Sequence, residues 1–225
     1  MSHADQGVPS PTPLTEVLEE ARSLGFLGPG PIDPHLRHAT GFAALAHAQW
    51  QKRLSHSAGP RILDLGSGGG LPGIVIAEQW PECALVLLDA NHRRCDFLTR
   101  SIDRMGLASR VGVVCGRAEE IGRDPHWRGG FDEVVVRSFG PPAVVAECAA
   151  PFLRAGGCLI VSEPPDSDGT DDHTSRWPQD ALLTVGLEPV EFVRSEFGYQ
   201  VLTQREACPD RFPRRTGMPS KRPLF

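Results

Sequence analysis

Lysine is almost missing from this chain. Lys52 and Lys221 are the only two among 23 basic residues, so its cationic groups are arginines. With 28 acidic residues the net charge is −5, which excludes binding to nucleic acid through an overall positive field. Cys-x-x-Cys is absent. The six cysteines (83, 95, 115, 148, 158 and 208) are scattered, mostly in or beside apolar segments. They make neither a zinc spacing nor a disulfide frame, as suits a reducing cytoplasm. Histidines 35, 38, 47 and 56 cluster in one stretch, but their spacing is not a ligand pattern, and no metal is expected. No apolar run approaches membrane-spanning length. The opening MSHADQGVPSPTP has no apolar core of a secretory leader. The expectation is a cytoplasmic monomer with neither membrane nor metal partner. No acid–base pair or nucleophile motif stands out either.

What is present centres on residues 61–73, RILDLGSGGGLPG. An apolar run carrying one acid, Asp64, opens into a glycine cluster, and Pro72 leads into the helix-like IVIAEQW. The pattern reads strand, tight turn, helix, with the free N–H groups of the helix start suited to an anionic ligand group. Gly68, Gly70 and Gly73 also fit the dinucleotide pattern G-x-G-x-x-G, which keeps an NAD-dependent oxidoreductase open. Two features point elsewhere. Asp64 lies inside the strand, two residues before Gly66, where a dinucleotide fold more often has an apolar residue. A second acid, Asp89, ends the next apolar run, ALVLL (84–88), where it can meet ribose hydroxyls.

The whole chain, 225 residues with 40% hydrophobic content, predicts one main domain with a small N-terminal appendage. Residues 1–13 are Pro- and Ser-rich and read as disordered. Residues 14–58 read as a helical extension. Thr15 is the expected cap of a helix to about Leu24, residues 25–34 the expected loop, and 35–56 a second helix weakened at Gly41. Residues 59–204 then alternate. Strands are expected at 61–65, 84–88, 111–115, 132–136, 158–162, 188–194 and 199–203. Helices are expected at 72–80, 92–106, 142–153 and 175–186, with one helical turn in 117–122. That order gives an α/β fold with a doubly wound, mostly parallel, seven-stranded sheet. The acidic stretch 163–174 is a loop and a candidate lid. In the tail, 205–225, prolines 209, 213, 219 and 223 argue against helix or central strand.

The run Asp64-x-Gly66-x-Gly68-x-Gly70 followed by Asp89 resembles the class I S-adenosylmethionine-dependent methyltransferases. More pieces follow in order: Leu71-Pro72-Gly73, LLD at 87–89, RAEE at 117–120, Arg137-Ser138-Phe139, PFLRAGG at 151–157 and the tail RFPRRTGMPSKRPL at 211–224. Together they resemble the bacterial small-subunit ribosomal RNA guanine-N7 methyltransferases (RsmG, also called GidB). The resemblance implies S-adenosylmethionine as cofactor, held by Asp64, Gly66, Gly68, Gly70, Leu71, Asp89, Ala118, Glu119 and Arg137. Gly66 and Leu71 would line its methionine part, Asp89 would face the ribose, and Ala118 and Glu119 would flank the adenine. Arg137 would lie near the incoming base as a substrate-orienting residue. The implied partner is ribosomal RNA or the small ribosomal subunit.

Two readings of the tail stand side by side. Arg211, Arg214, Arg215, Lys221 and Arg222 could hold an RNA backbone, or the tail could wrap its own domain through Phe212, Leu224 and Phe225. The chain also departs from the family pattern. Gly41 stands three residues after His38 where an acid is expected, and Ser162-Glu163-Pro164 replaces a Lys-Gly after the fifth strand. A different RNA or small-molecule acceptor, or a non-catalytic RNA-binding role, remains open on the residues alone.

Overall fold

A computed structural model describes residues 12–53, 59–165 and 173–225. Of the stretch 1–13 expected to be disordered, residues 1–11 lie outside the described residues, while Thr12 and Pro13 cap and begin a helix; of the candidate lid 163–174, residues 166–172 lie outside them, while Glu163 ends a strand and His173 begins a helix.

The apolar runs form strands because buried parallel strands must be apolar on both faces. They are β1 (Arg61–Leu65), β2 (Ala84–Asp89), β3 (Val111–Cys115), β4 (Phe131–Val136), β5 (Leu153–Glu163), β6 (Leu187–Arg194) and β7 (Gly198–Gln204). They make one seven-stranded sheet in the order β3-β2-β1-β4-β5-β7-β6. The pairs from β3 to β5 are parallel, whereas β5–β7 and β6–β7 are antiparallel. The chain order reverses between β1 and β4, so a crevice opens at the carboxyl ends of those two strands.

Helices cover both faces. On one side lie α1 (Pro13–Ser23), α2 (Ile32–Gln51), α3 (Gly73–Gln79) and α4 (His92–Arg104). Leu18, Phe42, Ile74 and Phe97 fill that layer without solvent exposure, at roughly 1.5–3 kcal/mol for each large side chain buried. On the other side lie α5 (Ala118–Ile121), α6 (Pro142–Ala149), α7 (His173–Arg176) and α8 (Gln179–Leu183), over Phe131, Phe152, Trp177 and Leu202.

Several expected boundaries move, each for a local reason. Thr12, not Thr15, caps α1, and its hydroxyl accepts the Thr15 N–H at 3.3 Å. Helix α2 begins at Ile32 inside the expected loop, because Pro34 sits in its first turn, where no N–H is needed. The expected helix 142–153 stops at Ala149, and a 3-10 turn (Ala150–Phe152) follows. The expected 175–186 helix is two short pieces separated at Pro178. Strand β5 starts at Leu153, before Gly156-Gly157, and absorbs the extra residues as a register shift against β4.

The tail was expected to avoid helix, yet α9 (Met218–Lys221) forms with Pro219 in its first turn. The tail is tied to its own domain. Arg128 donates to the carbonyls of Cys208 (2.5 Å) and Phe212 (2.8 Å), and Arg123 donates to that of Pro213 (2.9 Å).

Candidate functional site

A cleft crosses the carboxyl ends of β1 to β5 and divides into two sides. The first holds a cavity of about 350 Å³ walled by Gly66, Asp89, Ala118, Glu119, Phe139 and Ser220. This is within the size range of small-molecule sites. It continues into a smaller recess of about 140 Å³ along Gly66–Gly69, Leu71 and Arg137.

Backbone geometry builds this side. The N–H groups of Gly66 and Ser67 both donate to the Leu88 carbonyl, at 2.8 and 3.0 Å, fastening the glycine turn to β2. Gly66 has φ +80°, and a Cβ there would lie 2.6 Å from the Phe139 ring. Only glycine combines that backbone with that approach. Asp89 accepts the Gly68 N–H on one oxygen and the Asn91 N–H on the other, both at 2.9 Å, with Arg94 at 3.6 Å. Loop residues Phe26 and Leu27 close over Gly69 from the N-terminal side.

Asp64 and Gly70, both expected to hold the cofactor, do not line the cavity or its recess. Asp64 is buried beneath the turn, where its Oδ2 accepts the Gly73 N–H at 2.9 Å. A Cβ on residue 73 would sit 2.6 Å from that oxygen, so Asp64 and Gly73 lock the start of α3. Burial pushes the Asp64 carboxyl up to about 7 against that hydrogen bond. Gly70 turns the chain with its Cβ direction filled by Ile74.

Glu119 is buried and lines the cavity, while its Oε1 accepts the Gly217 N–H at 2.9 Å and Arg117 at 3.2 Å. Burial raises its pKa, but these donors outweigh that and hold it below the usual range. The tail therefore closes this end of the cavity through Gly217 and Ser220.

The second side is a cavity of about 380 Å³ walled by His38, Arg137, Ser138, Phe139, Glu163 and Arg176. Arg137 lies on the walls of both sides. One of its terminal nitrogens donates to His35 Nδ1 at 2.5 Å, and the other is buried without a partner. An arginine can only donate, so His35 is neutral at Nδ1. Burial and the Arg137 charge lower the pKa of His35, and they push His38 down to about 4. His38 stacks flat on Phe197, with ring centroids 4.4 Å apart. Ser138 has φ +55°, a left-handed conformation for a non-glycine residue at the junction of the two sides.

The two departures at 41 and 163 have local explanations. A Cβ on residue 41 would lie 2.1 Å from the Tyr199 hydroxyl, which donates to the His38 carbonyl at 2.9 Å. Glu163 is buried, with one oxygen accepting Arg176 Nε at 2.7 Å and the other accepting Trp177 Nε1 at 2.8 Å. Its charge is thus matched, and a guanidinium stands on the cavity wall. Sequence reasoning missed His38 and Arg176 as parts of this wall, and Trp177 as the partner that holds Glu163 from behind it.

In the tail, Arg214 is not free for RNA. It forks onto Glu147, which is fully buried, at 2.6–3.1 Å. Arg214, expected to hold RNA, is thus engaged within its own domain. Arg211 lies over the Phe212 ring, and Arg215, Lys221 and Arg222 are exposed.

Residues 45–163 match the family described as GidB, rRNA small subunit methyltransferase G. The chain belongs to the rRNA small subunit methyltransferase G family. The family member from Synechococcus sp. (strain RCC307) is 33% identical over 77% of this chain and 75% of its own length. The one from Rubrobacter xylanophilus is 34% identical over 74% of this chain and 66% of its own. Among solved structures, the fold is similar to that of an O-methyltransferase from Bacillus cereus in complex with S-adenosylhomocysteine. The TM-score is 0.61 at 18% identity, covering 88% of this chain and 94% of the other. A methyltransferase from Geobacter sulfurreducens gives a TM-score of 0.58 at 16% identity, over 89% and 92%. As a member of the methyltransferase G family, the chain is a methyltransferase whose methyl donor is S-adenosylmethionine.

Proposed function

We propose that this methyltransferase G family member methylates a guanine of small-subunit ribosomal RNA at N7. The observation that carries this reading is Arg137. It is an arginine with one terminal nitrogen buried and without a partner among the described residues, and it lines both the recess that continues the first cavity and the second cavity.

The donor set of the first cavity fits the cofactor. Asp89 offers carboxylate oxygens whose remaining lone pairs suit ribose hydroxyls, and Gly66, Gly68 and Leu71 line the recess for the amino-acid end. Ala118 and Glu119 flank the opposite end. When bound, S-adenosylmethionine supplies an electrophilic methyl group on a sulfonium centre.

The rest belongs to the chain. Guanine N7 has a lone pair at neutral pH, so no general base is required. The histidines here fit that: His38, with its pKa near 4, is neutral, and His35 accepts from Arg137 rather than taking a proton. The unpartnered Arg137 nitrogen would donate to the acceptor edge of the base and fix its orientation. His35 holds Arg137, and Phe139 together with Ser138 separates the two ligands. Catalysis is then positioning of the acceptor atom, an effect that can fail by about 100-fold for a displacement of about 1 Å.

The test is methyl-labelled S-adenosylmethionine with small subunits from cells lacking this gene. Label mapping to one guanine, lost on methylation-sensitive cleavage at N7, is expected. Arg137→Gln should slow transfer about 100-fold at saturating cofactor. Label on another atom or another molecule overturns the acceptor assignment.

A further inference from the structure

Arg176 lines a second depression besides the acceptor cavity. This is a groove of about 270 Å³ between Pro141, Pro142 and Val144 on one side and Pro223 and Phe225 on the other. Resting on the RNA reading above, we propose that this groove is a subsite for the nucleotide adjoining the methylated guanine. Arg176 then holds the phosphate that joins the two.

The walls suit a nucleobase. Two prolines at the start of α6 face Pro223 and the Phe225 ring, which is 37% exposed. Flat apolar and aromatic surfaces hold splayed bases by stacking, with little regard to sequence. At about 270 Å³ the groove has room for a nucleobase.

Charge complements it. Arg176 is the residue common to the groove and the acceptor cavity, which is where a linking phosphate must pass. Its Nε is fixed by Glu163, whose second oxygen is fixed by Trp177, so the guanidinium is held before RNA arrives. A guanidinium offers five N–H donors, and the Glu163 bond uses one. Lys221 and Arg222, both exposed, follow Ser220 on the groove's rim and extend the cationic track. The acid at 163, in this arrangement, serves to aim a cation.

The experiment uses the full chain and small subunits as acceptor. Phe225→Ala should raise KM for the subunit about tenfold, the lower part of the range for losing one base stack. Its kcat should stay within about twofold, and its cofactor affinity and thermal stability should not change. Phe225→Trp should restore KM. Arg176→Gln should raise KM and lower the salt dependence of binding by about one counterion, and Arg176→Lys should recover the salt slope. An unchanged KM for Phe225→Ala, with wild-type protein that labels RNA, overturns the subsite and leaves the activity standing. Wild-type protein that labels no RNA overturns the reading beneath it. Concentration-dependent dimerisation abolished by Phe225→Ala would show that a second copy occupies the groove, and would overturn the proposal too.

Discussion

On the cofactor side of the cleft, the glycine turn is fixed through its backbone N–H groups: the Leu88 carbonyl fastens Gly66 and Ser67, the Asp89 carboxylate fastens Gly68, and the Asp64 carboxylate fastens Gly73 at the start of α3. On the acceptor side the wall is made by side chains from four elements. His38 comes from α2, Arg137 from the end of β4, Glu163 from the end of β5 and Arg176 from α7. A backbone cradle tolerates few changes at its glycines and many elsewhere. A side-chain wall is adjustable one residue at a time, provided each change is met by a partner. Gly41 with Tyr199, and Glu163 with Arg176, are such matched pairs.

The sharpest break should come on the rigid side. Gly66→Ala places a methyl 2.6 Å from the Phe139 ring and forces alanine to φ +80°. The backbone cost is about 1–2 kcal/mol, and Phe139 must shift on the wall it shares with the cofactor cavity. Cofactor affinity should fall at least about tenfold, read by calorimetry, with unfolding shifted by the backbone cost. An affinity within twofold of the parent would show that the turn adapts, and the two sides would no longer contrast.

On the adjustable side the effect should be smaller and reversible. Gly41→Ala drives a methyl into the Tyr199 hydroxyl, breaks its bond to the His38 carbonyl and tilts His38 on the acceptor wall. Transfer to small subunits should slow about fivefold, with cofactor affinity kept, on the order of one lost hydrogen bond. Adding Tyr199→Phe removes the colliding oxygen and should recover most of the rate. A double variant no better than the single one would show that the fit at residue 41 depends on the backbone, not on Tyr199.

The same contrast explains what could be read from residue order. The parallel strands, the Gly66 turn and Asp89 are local patterns: continuous apolar runs, glycine before helix, an acid closing a strand. The acceptor wall is not local. Nothing in Arg176-Trp177 shows that it folds back across an acidic stretch onto Glu163, and Glu163 alone looks like a misplaced charge. Arg214 looks as free as Arg215 until Glu147, from a helix far back in the chain, is seen buried beneath it. Asp64 stands out by its place inside the strand, but nothing local shows that its carboxylate reaches the Gly73 N–H. The helix starts at Pro13 and Ile32 are hidden because proline reads as a stop, though the first turn accepts it.

The two sides should also differ in their response to pH. The Asp64 carboxyl, raised by burial to about 7, ionises in the working range beneath the cofactor turn, whereas His38 on the acceptor wall is already neutral above about 4. As pH rises from 6 to 8, Asp64 gains negative charge, so cationic S-adenosylmethionine should bind a few-fold tighter, and neutral-sulfur S-adenosylhomocysteine less so. Transfer at saturating cofactor should stay level across the same range. Stability moves the opposite way. The folded pKa lies above the unfolded one near 3.8, so the folded state holds a proton that the unfolded chain releases. That contribution is full below about 4 and is lost as pH rises through 7. Glu133, raised by burial to about 8, adds a loss of the same sign, so the Asp64 share is read as the difference between parent and Asp64→Asn. The variant should bind cofactor with a flat pH profile and gain stability over the parent above pH 7 but not at pH 4. A pH-dependent affinity that survives Asp64→Asn would show that another group titrates, and would overturn the assignment to Asp64.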